Sequence, residues 1–145
     1  MTDLPYGRGG SPLQNLIVRG LTATKLSALR VEAGLDTGPV YLKMDLSLSG
    51  TAEEIFVRAN KLVGKMIVEI IQNNLQPVPQ EGDPVVFKRR KPEQSDMSGL
   101  EKLEEIFDYI RMLDADGYPH AYIEKGEFRY ELSLIHISEP TRRSY

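Results

Sequence analysis

Asp36 is the side chain whose surroundings in the sequence best suit chemistry. It lies in the segment Gly34-Leu35-Asp36-Thr37-Gly38, where glycines permit a left-handed backbone and close approach of a ligand. A carboxylate on such a loop could act as a general base or orient an imidazole. The structural alternative is a turn in which Asp36 only bonds its own backbone. Spacing alone leaves both interpretations open.

Two groups of basic residues could bind anions. Arg8-Gly9-Gly10 precedes a predicted helix start, where backbone N–H groups and a guanidinium suit an anion. The alternative is a flexible turn. Residues 88–91 (Lys-Arg-Arg-Lys) form a basic run that could contact the phosphate of a nucleotide or of tRNA, or could simply be solvated. His120 has no second ligand nearby in the sequence, so we predict no metal site.

Composition excludes several classes of protein. The chain has 145 residues and is 41% hydrophobic, enough for one domain of ordinary size. It has no cysteine, which excludes a disulfide scaffold, a thiolate zinc site and a cysteine nucleophile. Charges interrupt every apolar stretch before bilayer-spanning length, so we expect no membrane contact and a cytoplasmic location. The net charge of −3 gives no general attraction to nucleic acid.

The first half of the chain carries the elements that must position Asp36. Ser11 and Pro12 predict the N-cap and first residue of a short helix that ends at Gly20. Alternating apolar residues predict strands over 25–32 and 40–48, on either side of the Asp36 loop. The sequence therefore predicts a β-loop-β unit with Asp36 in its loop.

The second half predicts two helices and a hairpin. Thr51 and Glu54 form a capping box, and an apolar stripe follows at helical spacing: Ile55, Ala59, Leu62, Val63, Met66, Ile67 and Ile70. Residues 75–92 contain four prolines and predict a connector. Ser98 and Glu101 suggest a second capping box, before a stripe formed by Leu100, Leu103, Phe107, Ile110 and Leu113. A short hairpin is predicted around Lys125-Gly126.

The opening segment and the Asp36 loop together resemble the folate-dependent formyltransferase family. That family has a Ser-Leu-Leu-Pro-x-x-Arg-Gly-x-x-Pro pattern, followed about two dozen residues later by Gly-Leu-Asp-Thr-Gly. Residues 2–5 (Thr-Asp-Leu-Pro) and 8–12 (Arg-Gly-Gly-Ser-Pro) correspond to the first motif, and residues 34–38 match the second completely. Asp3 stands in place of a leucine, and Lys25 where methionyl-tRNA enzymes usually have glycine. The resemblance covers about residues 1–131.

The resemblance implies an α/β fold: the C-terminal part of a Rossmann-like catalytic domain over residues 1–80, then a small α+β subdomain over 81–131. It implies formyl transfer from 10-formyltetrahydrofolate to an amine, with Asp36 orienting a catalytic histidine and helping to deprotonate the amine. The family's histidine would fall immediately before Met1. We therefore expect Met1 to be an internal methionine and the 145-residue chain to be inactive alone.

The resemblance also implies which residues bind the two substrates. The implied folate-binding residues are Thr2, Asp3, Leu4, Pro5, Gly34 and Leu35, and the implied acceptor-binding residues are Arg8, Gly9, Arg89 and Arg90. Residues 87–95 look more like the corresponding segment of amino-sugar formyltransferases, so we expect an amino-sugar nucleotide as the acceptor. Methionyl-tRNA is the alternative acceptor. A non-catalytic nucleotide- or RNA-binding module is the alternative from another functional class.

The C-terminal tail has a different character. Residues 132–142 resemble the translation of a transposase adapter used in sequencing libraries, over eleven consecutive residues. We therefore expect residues 132–145 to be a read-through sequence that does not contribute to the native fold.

Overall fold

The computed structural model describes residues 1–134 and has an α/β architecture. Its elements, in chain order, are β1 (Tyr6–Gly9), α1 (Pro12–Val18), β2 (Ala23–Leu29), β3 (Val40–Ser47), α2 (Ala52–Gln72), β4 (Val85–Phe87), a 3-10 turn (Pro92–Ser95), α3 (Leu103–Arg111), β5 (Ala121–Lys125) and β6 (Phe128–Leu132). The strands form three pairs: β1 with β4 in parallel, and β2–β3 and β5–β6 antiparallel. The described helices include none long and apolar enough to cross a membrane.

The predicted β-loop-β unit is present. Strands β2 and β3 pair from Ala23 opposite Ser47 to Leu29 opposite Val40, and the intervening loop carries Asp36. Leu26 and Leu46 are buried on this ribbon, as the alternating pattern predicts. Across the strands, Lys25 forms an ion pair with Asp45 at 2.7 Å. The register of this ribbon therefore fixes both ends of the Asp36 loop.

Strands β1 and β4 were not predicted, because both lie in segments with glycine- and proline-rich sequences. Their side chains show no useful alternation, and their pairing joins residues that are nearly eighty positions apart. Phe87 is the anchor: its ring is buried and meets the edge of Tyr6 at 5.3 Å between centroids. A contact between distant segments, rather than local propensity, makes these strands.

Helix α2 begins as predicted but is covered over only part of its length. The capping box is complete: Thr51 Oγ1 accepts from Glu54 N–H, and Glu54 Oε2 accepts from Thr51 N–H. Ala52 and Ile55 are fully buried, whereas Val63 is 40% and Ile67 51% exposed. The predicted apolar stripe is thus a correct face of the helix, but the burial of its C-terminal half is uneven, since Met66 is buried whereas Val63 and Ile67 are exposed.

The predicted cap of α1 is wrong in its chemistry. The helix does start at Pro12, but Ser11 has a left-handed backbone with φ of 46° and makes no side-chain capping bond. Its hydroxyl instead accepts a hydrogen bond from the Arg90 backbone N–H at 3.0 Å. A long-range partner has replaced the local one, and this bond ties the start of α1 to the basic run.

The second predicted capping box is also wrong. Helix α3 starts at Leu103 with Lys102 at its N-cap position, while Ser98 bonds Asp96 and accepts from the Glu124 N–H. Leu103 and Phe107 are 75% and 48% exposed, so they do not form the buried stripe. The other three members of the predicted stripe, Leu100, Ile110 and Leu113, do pack in or against the core, and Ile106 and Tyr109 of α3 join them.

One core joins the two halves of the chain. It is built from α1, the ends of β3 and β4, the start of α2 and the segment after α3, through Leu13, Leu16, Ile17, Leu46, Leu48, Ala52, Ile55, Ala59, Phe87, Met97, Met112, Leu113 and Ala121. The predicted hairpin forms β5 and β6, and Leu132 pairs with Ala121 and packs against this core. Residues 135–145, most of the predicted read-through tail, lie outside the described residues.

Candidate functional site

Asp36 lies at the exposed end of the β2–β3 ribbon and is held by the opening segment. Its backbone has φ of 55°, a left-handed conformation that is costly for a residue with a side chain. Its carboxylate Oδ2 accepts a hydrogen bond from the Gly9 N–H at 2.9 Å. The opening segment and the Asp36 loop, separate in sequence, therefore meet at this bond, as the resemblance implies.

Gln80 fixes the same loop from the other side. Its Nε2 donates to the carbonyl oxygens of Asp36 (2.8 Å) and Gly38 (2.7 Å). Its Oε1 accepts from Nε (3.2 Å) and Nη2 (2.8 Å) of Arg8. We call this set of bonds the Gln80 bridge. Arg8, which the resemblance implies in acceptor binding, is thus engaged with a neighbouring side chain.

Two glycines at the site have no room for a side chain. Gly9 has φ of +112°, and a Cβ placed on it would lie 2.4 Å from the Phe87 carbonyl oxygen. A Cβ on Gly38 would lie 1.8 Å from the Arg30 carbonyl oxygen. Both glycines are therefore required by close backbone contacts, and Gly9 also by its positive φ.

The residues implied in folate binding separate into buried and exposed groups. Thr2 and Leu4 are buried, and the Thr2 carbonyl accepts from the Ser27 hydroxyl at 2.7 Å. Asp3, the departure from the family pattern, is paired with Lys43 of β3 at 2.6 Å. Leu35 is 70% exposed. Thr2 and Leu4 therefore support the segment, while Leu35 is free to contact a ligand.

Two clefts lie at the candidate site, and Asp36 lines one of them. A cleft of about 400 Å³ is bounded by Asp36, Gly34, Leu35 and the end of β2. A second cleft of about 370 Å³ is bounded by Leu4, Lys43 and Gln80. Together they place the Asp36 loop and the opening segment within reach of a bound molecule.

The first residue of the chain, Met1, is half-buried and packs against the core. Burial lowers the pKa of the Met1 α-amine below its usual 8.0, and the Asp36 carboxylate acts in the opposite direction.

Arg89 and Arg90 line a neighbouring groove of about 590 Å³, together with Ser11, Gln14 and Tyr118. The Arg90 guanidinium donates to the Gln94 carbonyl at 2.5 Å and lies 5.4 Å from the Tyr109 ring centroid. The basic run is therefore a wall of this groove, and the structure does not bring it to the Asp36 carboxylate. The described residues contain no group of acidic, histidine or cysteine side chains suited to a metal ion.

Sequence reasoning assigned no role to Gln80 or Lys43. Glutamine has no characteristic chemistry, and Lys43 interrupts a strand pattern in the ordinary way of an exposed residue. The only available signal for Gln80 was that the family resemblance extends to it. Its three partners, Arg8, Asp36 and Gly38, are brought to it by the fold alone.

Comparison with known proteins identifies the family. The structure superposes on methionyl-tRNA formyltransferase from Clostridium thermocellum with a TM-score of 0.90 and 55% sequence identity, covering 95% of this chain and 61% of that one. The chain belongs to the formyltransferase family. Residues 92–140 match the model described as methionyl-tRNA formyltransferase, C-terminal domain.

Two further formyltransferases show how widely the similarity extends. Methionyl-tRNA formyltransferase from Rickettsia felis is 30% identical over 143 residues, covering 95% of this chain and 45% of that protein. WlaRD, a sugar 3N-formyltransferase solved in the presence of dTDP and 5-N-formyl-THF, has a TM-score of 0.58 at 20% identity, covering 76% of this chain and 43% of that one. The latter shows a common fold only.

The chain thus spans about half the length of the curated relatives it matches. The region matched by the C-terminal domain model extends into the tail that resembles an adapter, so the origin of that tail stays a prediction.

Proposed function

We propose that this chain forms part of an enzyme that transfers a formyl group from 10-formyltetrahydrofolate to an amine. The observation that carries the proposal is the Asp36 carboxylate, held at 2.9 Å by the Gly9 N–H where the two family motifs meet. Membership of the formyltransferase family supports the reaction class. The amine nitrogen bonds to the formyl carbon, the bond from that carbon to N10 of the folate breaks, and the amine loses a proton while N10 gains one.

Asp36 is the group we propose to orient the catalytic histidine and to assist removal of the amine proton. By the resemblance, this histidine would fall immediately before Met1, ahead of the opening segment whose Gly9 N–H binds the Asp36 carboxylate. The histidine would stabilise the oxyanion of the tetrahedral intermediate. Leu35, Gly34 and the segment Thr2–Pro5 would form one wall of the folate site.

For the acceptor we propose methionyl-tRNA, in place of the amino-sugar nucleotide that residues 87–95 suggest. The 55% identity to the Clostridium thermocellum methionyl-tRNA formyltransferase supports this choice, whereas the similarity to the sugar enzyme WlaRD is one of fold. Arg89 and Arg90, on the wall of the neighbouring groove, are the candidate contacts for phosphate of the acceptor.

A chimeric enzyme tests the reaction and the acceptor. The part of the Clostridium thermocellum enzyme that precedes the region matching this chain would be joined ahead of Met1. Release of tetrahydrofolate would then be measured with methionyl-tRNA or with amino-sugar nucleotides. We expect turnover with methionyl-tRNA and almost none after Asp36→Asn. An active Asp36→Asn chimera would refute the role of Asp36, and turnover only with the sugar nucleotides would refute the acceptor.

Two controls complete the experiment. The 145-residue chain alone should show negligible turnover, because losing one member of a catalytic unit removes nearly the whole effect of that unit. Replacing residues 88–91 by alanine should weaken the use of methionyl-tRNA while leaving the folded structure unchanged. A binding module without catalysis would instead bind phosphate-containing ligands through residues 88–91 and be indifferent to Asp36→Asn.

A further inference from the structure

We infer that Gln80 is a positioning residue for Asp36, and that Arg8 acts by fixing the orientation of the Gln80 amide. The catalytic meaning of this inference rests on the proposed function, but the geometry that it describes does not. Its basis is a closed circuit of contacts. Residues 8 and 9, adjacent in β1, reach Asp36 by two different routes.

The first route is direct and the second passes through Gln80. Gly9 N–H donates to the Asp36 carboxylate, while the Arg8 guanidinium binds Gln80, whose amide donates to the Asp36 carbonyl. The same short strand, β1, therefore restrains both the side chain of Asp36, directly, and its main chain, through Gln80. A residue in a left-handed conformation needs such external restraint, because its own dihedral preference opposes it.

The chemistry of the site requires an amide at position 80. A guanidinium offers only donors, and the carbonyls of Asp36 and Gly38 offer only acceptors. Glutamine alone among side chains of this length presents an acceptor to one and two donors to the other. Arg8 approaches Oε1 with two N–H groups, which also determines which end of the amide is oxygen.

Glutamate at position 80 would break one side of the bridge selectively. Gln80→Glu keeps the size of the side chain and an oxygen for Arg8, but turns a second oxygen toward the two loop carbonyls. The loop would lose both donors and move away from β1. The bond between Asp36 and Gly9 would then lengthen, although neither of those residues has been changed.

Amide NMR on this chain measures that bond directly. The Gly9 amide proton points at the Asp36 carboxylate, so Asp36→Asn should move its chemical shift. We expect Gln80→Glu to produce about half of that change in shift and to speed hydrogen exchange at Gly9 about tenfold, as expected for loss of a partly buried hydrogen bond. Amides of the β2–β3 ladder should exchange as before.

Gln76→Glu is the matched control, since the Gln76 amide is exposed and donates only to the nearby Asn74 carbonyl. It should leave Gly9 unchanged. If Gln80→Glu does not fold, Arg8→Lys provides the second test, because it keeps the charge but loses the two-point contact. The inference would be overturned if the folded Gln80 or Arg8 variant kept the wild-type Gly9 amide shift and a Gly9 hydrogen-exchange rate within twofold of wild type. None of these outcomes depends on formyl transfer.

Discussion

Gln80 at the candidate site and Arg111 inside the core hold backbone carbonyl groups in a similar way. The Gln80 bridge holds the carbonyls of Asp36 and Gly38 at a half-exposed loop. Arg111, at the end of α3, donates from Nη1 to the carbonyls of Leu48 (2.6 Å) and Gly50 (3.1 Å). We call the latter set, with the Arg111–Asp108 ion pair at 2.6 Å, the Arg111 bridge.

The two bridges differ in charge and in access to water. The Arg111 side chain is 9% exposed and joins the last helix to the β3–α2 connection, next to the buried Met112. Gln80 is neutral, and water can reach its surroundings. Removing a buried charged donor leaves its acceptors without water, whereas an exposed loop can rehydrate. The comparison therefore separates a contact that maintains the fold from one that maintains local geometry.

The largest expected effect comes from breaking the Arg111 bridge. Arg111→Met keeps much of the apolar stem but leaves the carbonyls of Leu48 and Gly50 and the Asp108 carboxylate without this donor. We expect a loss of about 3 kcal/mol in the free energy of unfolding, measured by urea denaturation. Arg129→Met is the control, because its ion pair with Glu124 is exposed to solvent and should contribute little to stability. Equal losses of stability in the two variants would mean that the buried Arg111 bridge contributes no more than an exposed ion pair.

A smaller loss is expected from changing the strand that carries the Gln80 bridge. Gly9→Ala places a Cβ against the Phe87 carbonyl and disfavours the positive φ, so β1 must shift away from β4. We expect about 2 kcal/mol of destabilisation in urea, with loss of the Gly9–Asp36 bond. Gly99→Ala serves as the control, since a Cβ there meets no atom within 4 Å. If Gly9→Ala left the free energy of unfolding unchanged, this would contradict the close approach of β1 and β4.

Deletions from the C-terminus test which residue is the last to contribute to the core. Removing residues 133–145 should change the melting temperature by no more than about two degrees, as expected for a tail that contributes little packing. Ending the chain at Glu131 should cost more, because Leu132 packs against the core that also contains Met112. A large effect of the shorter deletion would show that the tail belongs to the fold.

The smallest expected effect is a change of pKa without measurable loss of stability. Hydrogen bonds from the Ser98 hydroxyl and backbone N–H lower the pKa of the exposed Asp96 carboxyl below 3.8. A depressed folded-state pKa means that this stabilisation is present above pH 3.8 and is lost as the pH falls through the lowered value. Ser98→Ala should therefore raise the Asp96 pKa in an NMR titration. No change would mean that the hydroxyl bond is absent in solution.

Elements defined by local pattern were predictable from this sequence. The β2–β3 ribbon, the capping box of α2 and the C-terminal hairpin all follow from neighbours within a few residues, and each is confirmed. Strands β1 and β4 were missed because each exists only through the other. The caps assigned to Ser11 and Ser98 were wrong because these hydroxyls bond the distant Arg90 and Glu124 N–H groups.

The candidate site divides along the same line. The Asp36 loop was located from its glycines, and its meeting with the opening segment came from the family resemblance rather than from any periodicity. Gln80 could not be assigned a role, since its function depends on three partners more than forty positions away in each case. The buried and exposed residues of the apolar face of α2 were likewise indistinguishable in sequence, because the pattern defines a face of the helix but not what packs against it.

Three consecutive residues, the last two of strand β1 and Gly10 directly after it, each make a different contact. Arg8 binds Gln80, Gly9 bonds Asp36, and the Gly10 N–H donates to the Phe87 carbonyl at 3.0 Å. In evolution, the length of this segment should therefore be more strongly constrained than its amino-acid composition. An insertion or deletion of one residue would displace all three contacts together. No single later substitution could then restore them. Change in this segment should therefore proceed by replacement of flanking side chains, with its length preserved.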